Sequence, residues 1–131
     1  MLKHRVKLLK SIKGIGDRTA WQILSELHAE DGKSINSRAQ IAHAGLAPRQ
    51  FQSGSSVNGR PRICKTGNHR LRKALYMPAM SALRFNHQLS EFYHRLLSKG
   101  KLKMVALVAV MRKMLVLAIG ILNNNAPFDE N

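Results

Sequence analysis

The sequence predicts a mainly α fold: a helix-hairpin-helix core, a long basic Gly/Ser loop that could close into a small hairpin, and long C-terminal helices. Three observations carry this. Apolar residues recur at helical spacing along most of the chain. Gly, Asn and Pro punctuate those stretches where helices start and stop. The 131 residues are 44% hydrophobic, enough for one core and too many for wholesale disorder. The whole chain, 1–131, reads as a single domain, with residues 1–87 as hairpin and loop core and 88–131 as a C-terminal helical segment.

Leu2, Val6, Leu9 and Ile12 set a first helix ending near Lys13, where Gly14-Ile15-Gly16 interrupts it. Asp17 is placed to cap a second helix with Ala20, Ile23, Leu24 and Leu27 on one face. Polar residues from Ala29 to Asn36 make a loop. Ser37 starts a short helix carrying Ile41 and Ala42, stopped by Gly45. Leu46 to Gly67 is a long loop or small hairpin, rich in Gly, Ser, Pro, Asn and Arg. Asn68 caps the next helix, with Leu71, Ala74, Leu75 and Ala82 inward, and Pro78 is expected to kink or divide it. Leu89, Phe92, Tyr93, Leu96 and Leu97 form a further helical face, closed by Lys99-Gly100-Lys101. The last helix spans about Leu102 to Leu122. Arg112 and Lys113 interrupt its apolar run, and a bilayer would bury that pair at great cost. It therefore reads as a core helix, with an oligomer interface as the other reading.

Charge names the partner class. Lys and Arg number 22 against 7 acids, a formal net charge of +15. No acid lies between Gly32 and Ser90, an interval with ten cations. Such a surface repels itself unless a polyanion neutralises it, and phosphate contacts with counterion release fit best. A merely soluble basic surface and attraction to anionic lipid are the bland readings. Aromatic residues make up 5% and do not cluster, which argues against a stacking platform for single strands. The scattered acids Asp17, Glu26, Glu30, Asp31, Glu91, Asp129 and Glu130 argue against a complete metal-dependent nuclease site within the chain. The six histidines show no zinc spacing with Cys64, so no cofactor is expected here. One cysteine cannot form an internal disulfide, and a reducing cytoplasm fits. MLKHRVKLLK lacks the apolar region and cleavage site of a signal peptide.

Two segments carry candidate chemistry. Around Lys13-Gly14-Ile15-Gly16, glycines allow a tight turn with exposed amides, and the second helix aims its N-terminus at the same anion. Ile15 can tuck between the helices while Lys13 and Arg18 flank the phosphate. Such a unit grips backbone and reads no bases. The plainer reading is an ordinary turn between packed helices. The second segment runs from Gly45 to Asn68 and holds no acid. A serine there could attack a phosphodiester if Arg or Lys met the developing charge, although no triad spacing marks one.

The ordered run Ser11-Ile12-Lys13-Gly14-Ile15-Gly16…Thr19-Ala20, Ser37-Arg38-Ala39-Gln40-Ile41-Ala42…Gly45-Leu46-Ala47-Pro48, Gln52-Ser53-Gly54…Gly59…Lys65-Thr66-Gly67-Asn68…Leu71-Arg72…Leu75-Tyr76-Met77 resembles the C-terminal domain of one transposase family. This is the insertion-sequence family called IS-one-ten, which includes Piv-type DNA invertases. Val108 to Leu115 is similar to the A-x-R-K-L helix that closes those proteins, so the likeness spans roughly residues 8 to 120. Lys13 and Pro78 stand where the family more often has Pro and a small residue.

The resemblance implies DNA transposition or recombination on double-stranded DNA in a prokaryotic cytoplasm, at the nucleoid. It implies an N-terminal RuvC-like domain with an Asp-Glu-Asp-Asp site for Mg. This chain, starting at Met1 just before the hairpin, is expected to lack that domain and to be inactive alone. It further implies a guide (bridge) RNA and a homo-oligomer in the full-length protein. The family's Ser-Gly nucleophile falls on Ser53 beside Gly54, with Ser55 and Ser56 as alternates. Arg60, Arg62 and Lys65 would hold the backbone or stabilise the transition state, Arg49 would bind DNA, and Asn68, Arg70 and Arg72 would extend the contact along the next helix. The alternative function is a non-catalytic helix-hairpin-helix module for DNA or RNA, of which a small ribosomal-type RNA binder is one form.

Overall fold

The computed structural model describes residues 2–27, 34–46 and 68–128. They form six helices: α1 (Leu2–Lys10), α2 (Asp17–Leu27), α3 (Ser37–His43), α4 (His69–Phe85), α5 (His87–Ser98) and α6 (Lys103–Asn124). Among the described residues there is no strand, and the fold is mainly α.

The apolar periodicities of the sequence become one continuous core. Val6, Leu9 and Ile12 from the α1 end, Ala20, Ile23, Leu24 and Leu27 from α2, Leu71 and Leu75 from α4 and Leu89 from α5 all join it. The seven-residue α3 buries nothing of its own and is held by Ala44 and Leu46 just beyond it. Eleven residues of α6 are buried, from Ala106 to Leu122. Each large side chain withdrawn from water, such as Leu9, Ile23, Leu75 or Leu115, contributes about 1.5–3 kcal/mol. α6 is long and apolar enough to cross a membrane by length and composition. Here α1, α3, α4 and α5 pack on it instead.

Several local outcomes differ from the sequence expectation. The first helix stops at Lys10, and residues 11–14 form turns closed by Ser11 N–H to Leu8 C=O and Ile12 N–H to Leu9 C=O, both 3.1 Å. Asp17 is the first helical residue of α2 rather than its cap. Its carboxylate still sits in the first turn, favoured by the helix dipole, and pairs with Lys10 Nζ at 2.8 Å. Pro78 does not divide α4, which runs unbroken from His69 to Phe85. Pro78 is buried within the helix, so packing of α4 against its neighbours outweighs the one hydrogen bond the ring removes. On the long face of α5 only Leu89 is fully withdrawn; Phe92, Tyr93, Leu96 and Leu97 are half-buried. On α3, Ile41 is half-buried and packs on the core while Ala42 is exposed.

Side-chain amides fasten the ends. Asn36 Oδ1 accepts from Ala39 N–H at 3.0 Å to cap α3. Asn123 brackets Ile35, accepting from its N–H at 2.8 Å and donating to its C=O at 2.9 Å, which ties the end of α6 to the entry of α3.

Candidate nucleic-acid interface

The turn between α1 and α2 is set by two glycines with different surroundings. Gly14 has φ +115° and lies against α4: a Cβ there would meet Ala82 Cβ and the Pro78 carbonyl oxygen, each at 3.0 Å. Its bare Cα therefore lets the turn close on α4. Gly16 is exposed, with nothing within 4 Å of an added Cβ, so its surface is open to a ligand. Between them Ile15 is buried in the core, and its N–H donates to Ile12 C=O at 3.0 Å. Lys13 and Arg18 are both exposed on either side of the open glycine. Lys13, Gly16 and Arg18 are thus together at one end of α2, with the exposed Asp17 carboxylate between Gly16 and Arg18 paired to Lys10.

Asn86, which the sequence reading did not single out, holds that turn in place. It is fully buried at the junction of α4 and α5. Its Nδ2 donates to Lys13 C=O at 3.2 Å, and its Oδ1 accepts from Leu89 N–H at 3.2 Å to cap α5. One amide therefore satisfies a helix terminus and a turn carbonyl at once. Asn placed three residues before an apolar helical position was the available signal.

The opposite end of α2 meets the start of α4. Asn68 Oδ1 accepts from Leu71 N–H at 3.0 Å, its Nδ2 donates to Glu26 C=O at 3.4 Å, and its backbone N–H donates to His43 C=O at 2.6 Å. Arg72 Nη1 donates to Ala44 C=O at 3.4 Å. Arg112 Nη1, reaching from α6, donates to Leu46 C=O at 3.1 Å. These bonds join the C-terminal end of α3 to the first turn of α4, so Leu46 and Asn68 are fixed in one place. The polar atoms of Asn68 are engaged in the fold, and Arg72 is half-buried in the same knot; Arg70 is exposed on α4 beside them. A cation inside an apolar helix needs a hydrogen-bonding partner, which was the signal that Arg112 had such a role.

Arg49, Ser53, Gly54, Ser55, Ser56, Arg60, Arg62 and Lys65 lie outside the described residues. The two points from which that segment departs and returns are at the far end of α2 from the glycine turn. The 11 residues of α2 separate them by about 16 Å. The hairpin cations and the anchors of the serine segment are therefore not one cluster. Among the described residues no three His, Cys, Asp or Glu side chains gather where they could hold a metal ion. Asp17, Glu26 and Glu91 sit at the start of α2, the end of α2 and within α5, so the described donors do not fit Mg.

Comparison with known proteins agrees with the ordered motifs. A family profile described as "Transposase IS116/IS110/IS902 family" matches residues 6–94. The chain is 38% identical over 131 residues to a pilin gene-inverting protein of Moraxella bovis, covering 98% of this chain and 40% of that protein. A pilin gene-inverting protein of Moraxella lacunata is 37% identical over the same 131 residues, again with 40% of its length covered. An insertion element IS110 uncharacterized 43.6 kDa protein of Streptomyces coelicolor is 28% identical over 123 residues, covering 93% of this chain and 30% of that protein. The chain thus spans about two fifths of the length of the gene-inverting relatives it matches.

Proposed function

The chain belongs to the IS116/IS110/IS902 transposase family, and we propose that it is the DNA-gripping, serine-bearing part of a recombinase that completes its reaction with a carboxylate-rich metal domain, supplied in trans or by the full-length protein. The observation that carries this reading is the open Gly16 surface between exposed Lys13 and Arg18, on a chain of net charge +15 that matches gene-inverting relatives along its length. Phosphate backbone of duplex DNA docks on the turn amides and these two cations, with Arg70 and the basic residues Arg49, Arg60, Arg62 and Lys65 adding contacts. In this reading Asn68 and Arg72 serve by fixing the base of the serine segment.

Ser53 is the proposed nucleophile, with Ser55 and Ser56 as alternates. Its Oγ would bond to phosphorus as a bridging strand oxygen leaves, and the hydroxyl proton would pass, in net terms, to that leaving oxygen. One phosphoester bond forms and one breaks, so no external energy source is needed. Arg60, Arg62 or Lys65 would neutralise the transition-state charge. Mg would act on the separate metal domain's carboxylates, and a guide RNA and a homo-oligomer would belong to that larger assembly.

The test combines the chain with the metal domain of a pilin gene-inverting relative, target duplex and cognate RNA. A covalent protein–DNA adduct formed by the wild type and lost in Ser53→Ala is expected. Adduct yield that persists undiminished in Ser53→Ala refutes the nucleophile. The about 16 Å between the glycine turn and the Leu46–Asn68 anchors keeps a second reading alive, a purely gripping module. It predicts salt-sensitive duplex binding with no adduct in any variant.

A further inference from the structure

We propose that the turn between α5 and α6 is a second duplex-DNA backbone grip, built from Lys99, Lys101 and Lys103; the inference rests on the duplex-binding reading above and extends it. All three lysines are exposed, and among the described residues none has an acidic partner. No acid occurs from Phe92 to Phe128, while Arg95 adds a further cation. Arg95 lies one helical turn before Lys99, so the positive patch continues back along α5.

The turn is held rigidly. Gly100 N–H donates to Leu97 C=O at 3.0 Å and Lys101 N–H donates to Leu96 C=O at 3.1 Å, the paired bonds of a glycine-closed helix end. Gly100 takes φ +89° with open space around it. The ammonium groups are thus carried on an ordered backbone, and binding need not order it. Lys103 opens α6, whose first turn holds no acid and where the helix dipole disfavours a cation. Lys99 and Lys101 lie at the C-terminal end of α5, where the helix dipole favours a cation, but three like charges within five residues still repel one another and are relieved by an external polyanion.

The chemistry selects a duplex. No Phe, Trp or Tyr lies in the turn from Lys99 to Lys103. Phe92, covered by Arg95 and Lys113, is half-buried against the core. Bases of a single strand therefore find no open ring at the turn to stack on. An anionic bilayer would be met by Leu102 and Met104 with no interfacial aromatic anchor. The position suits a duplex as well. Asn86 at one end of α5 is bonded to the glycine turn through Lys13 C=O, and Lys99 ends α5. The 12 residues of α5 put the two grips about 18 Å apart. That is about half a helical turn of B-DNA, so one duplex can reach both.

The experiment titrates the full chain against a duplex of about two helical turns by fluorescence anisotropy across a salt series. It compares wild type, the triple variant Lys99→Gln/Lys101→Gln/Lys103→Gln, and the double variant Lys13→Gln/Arg18→Gln. Losing three phosphate contacts lowers the log–log salt slope by about 2.7, so between about 50 and 200 mM salt the wild type loses about 40-fold more affinity than the triple variant. Circular dichroism of the triple variant is expected to match the wild type. A triple-variant slope equal to wild type, with the double variant's slope reduced, overturns this inference and leaves the glycine-turn grip standing. Wild type that shows no salt-sensitive duplex binding overturns both. If the triple variant loses affinity only for an RNA stem-loop or for phosphatidylserine vesicles, the lysines serve that partner and the duplex assignment falls.

Discussion

Gly14→Ala is expected to destabilise the fold by about 2–6 kcal/mol, and the figure comes from two separable costs. At φ +115° a side chain sits outside the regions open to L-residues, a strain of about 1–3 kcal/mol. The added methyl also meets Ala82 Cβ and Pro78 O at 3.0 Å, where neither neighbour can yield. One contact is backbone and the other is the stub of a side chain within α4, so overpacking adds about 1–3 kcal/mol. Gly16→Ala is the internal control. It sits two residues away, has open space, and shows no positive φ, so its cost stays under about 1 kcal/mol. Urea unfolding followed by circular dichroism reads both differences from the midpoint at constant m. A Gly14→Ala variant within about 0.5 kcal/mol of wild type would refute the close approach of the turn to α4. The pair also separates fold from grip. Gly16→Ala is expected to weaken duplex binding while leaving stability nearly intact, because its methyl enters the surface proposed for phosphate.

Asn86→Ala removes the α5 cap and strands the Lys13 carbonyl, so urea unfolding is expected to show a loss of about 2–4 kcal/mol. Arg112→Ala frees the Leu46 carbonyl; a loss of about 1–3 kcal/mol is expected in urea, with faster hydrogen exchange at the Asn68 amide, and unchanged exchange there would disconnect α6 from that anchor. Ser53→Ala is expected to bind duplex DNA within about twofold of wild type, because one hydroxyl adds no counterion release, while abolishing the covalent adduct.

The helices were legible because each is written in apolar spacing that tertiary packing reinforces. Ala20, Ile23, Leu24 and Leu27 all enter the core as read, as do Leu71, Ala74, Leu75 and Ala82. Asn68 was legible as a cap because capping is local chemistry. What spacing did not carry was the use of backbone carbonyls by distant side chains. Arg112 and Leu46 lie 66 residues apart in sequence, and Asn86 and Lys13 lie 73 apart. No local pattern records such pairs. That Pro78 leaves α4 undivided was hidden for the same reason. Its local penalty is plain in the sequence, and the packing of α4 that outweighs it is not. The split between Gly14 and Gly16 also needed the fold, since both look alike until α4 occupies the space beside one of them. Ser53 and the basic residues around it rest on the family likeness, as they lie outside the described residues.

The length of α2 sets a condition that any mechanism for this chain must meet. The glycine turn and the Leu46–Asn68 anchors sit at its two ends, about 16 Å apart, and both ends are locked, one by Asn86 and the other by Asn68, Arg72 and Arg112. The direct path from Lys13 and Arg18 to the Leu46–Asn68 anchors runs along α2, a span of about half a turn of duplex. This makes the spacing itself testable. Inserting one helical turn of alanines in α2 would move the grip about 5.4 Å further from the anchors but also tear Gly14 from α4. Moving the charge is cleaner. The exposed Gln22 and Ser25 of α2 lie between the two ends, and replacing both with Glu adds repulsion along the proposed path without touching the core. Duplex affinity is expected to fall at low salt and recover towards wild type at high salt, where screening removes the repulsion. Affinity in the Glu variant indistinguishable from wild type at low salt would show that the strand does not follow α2.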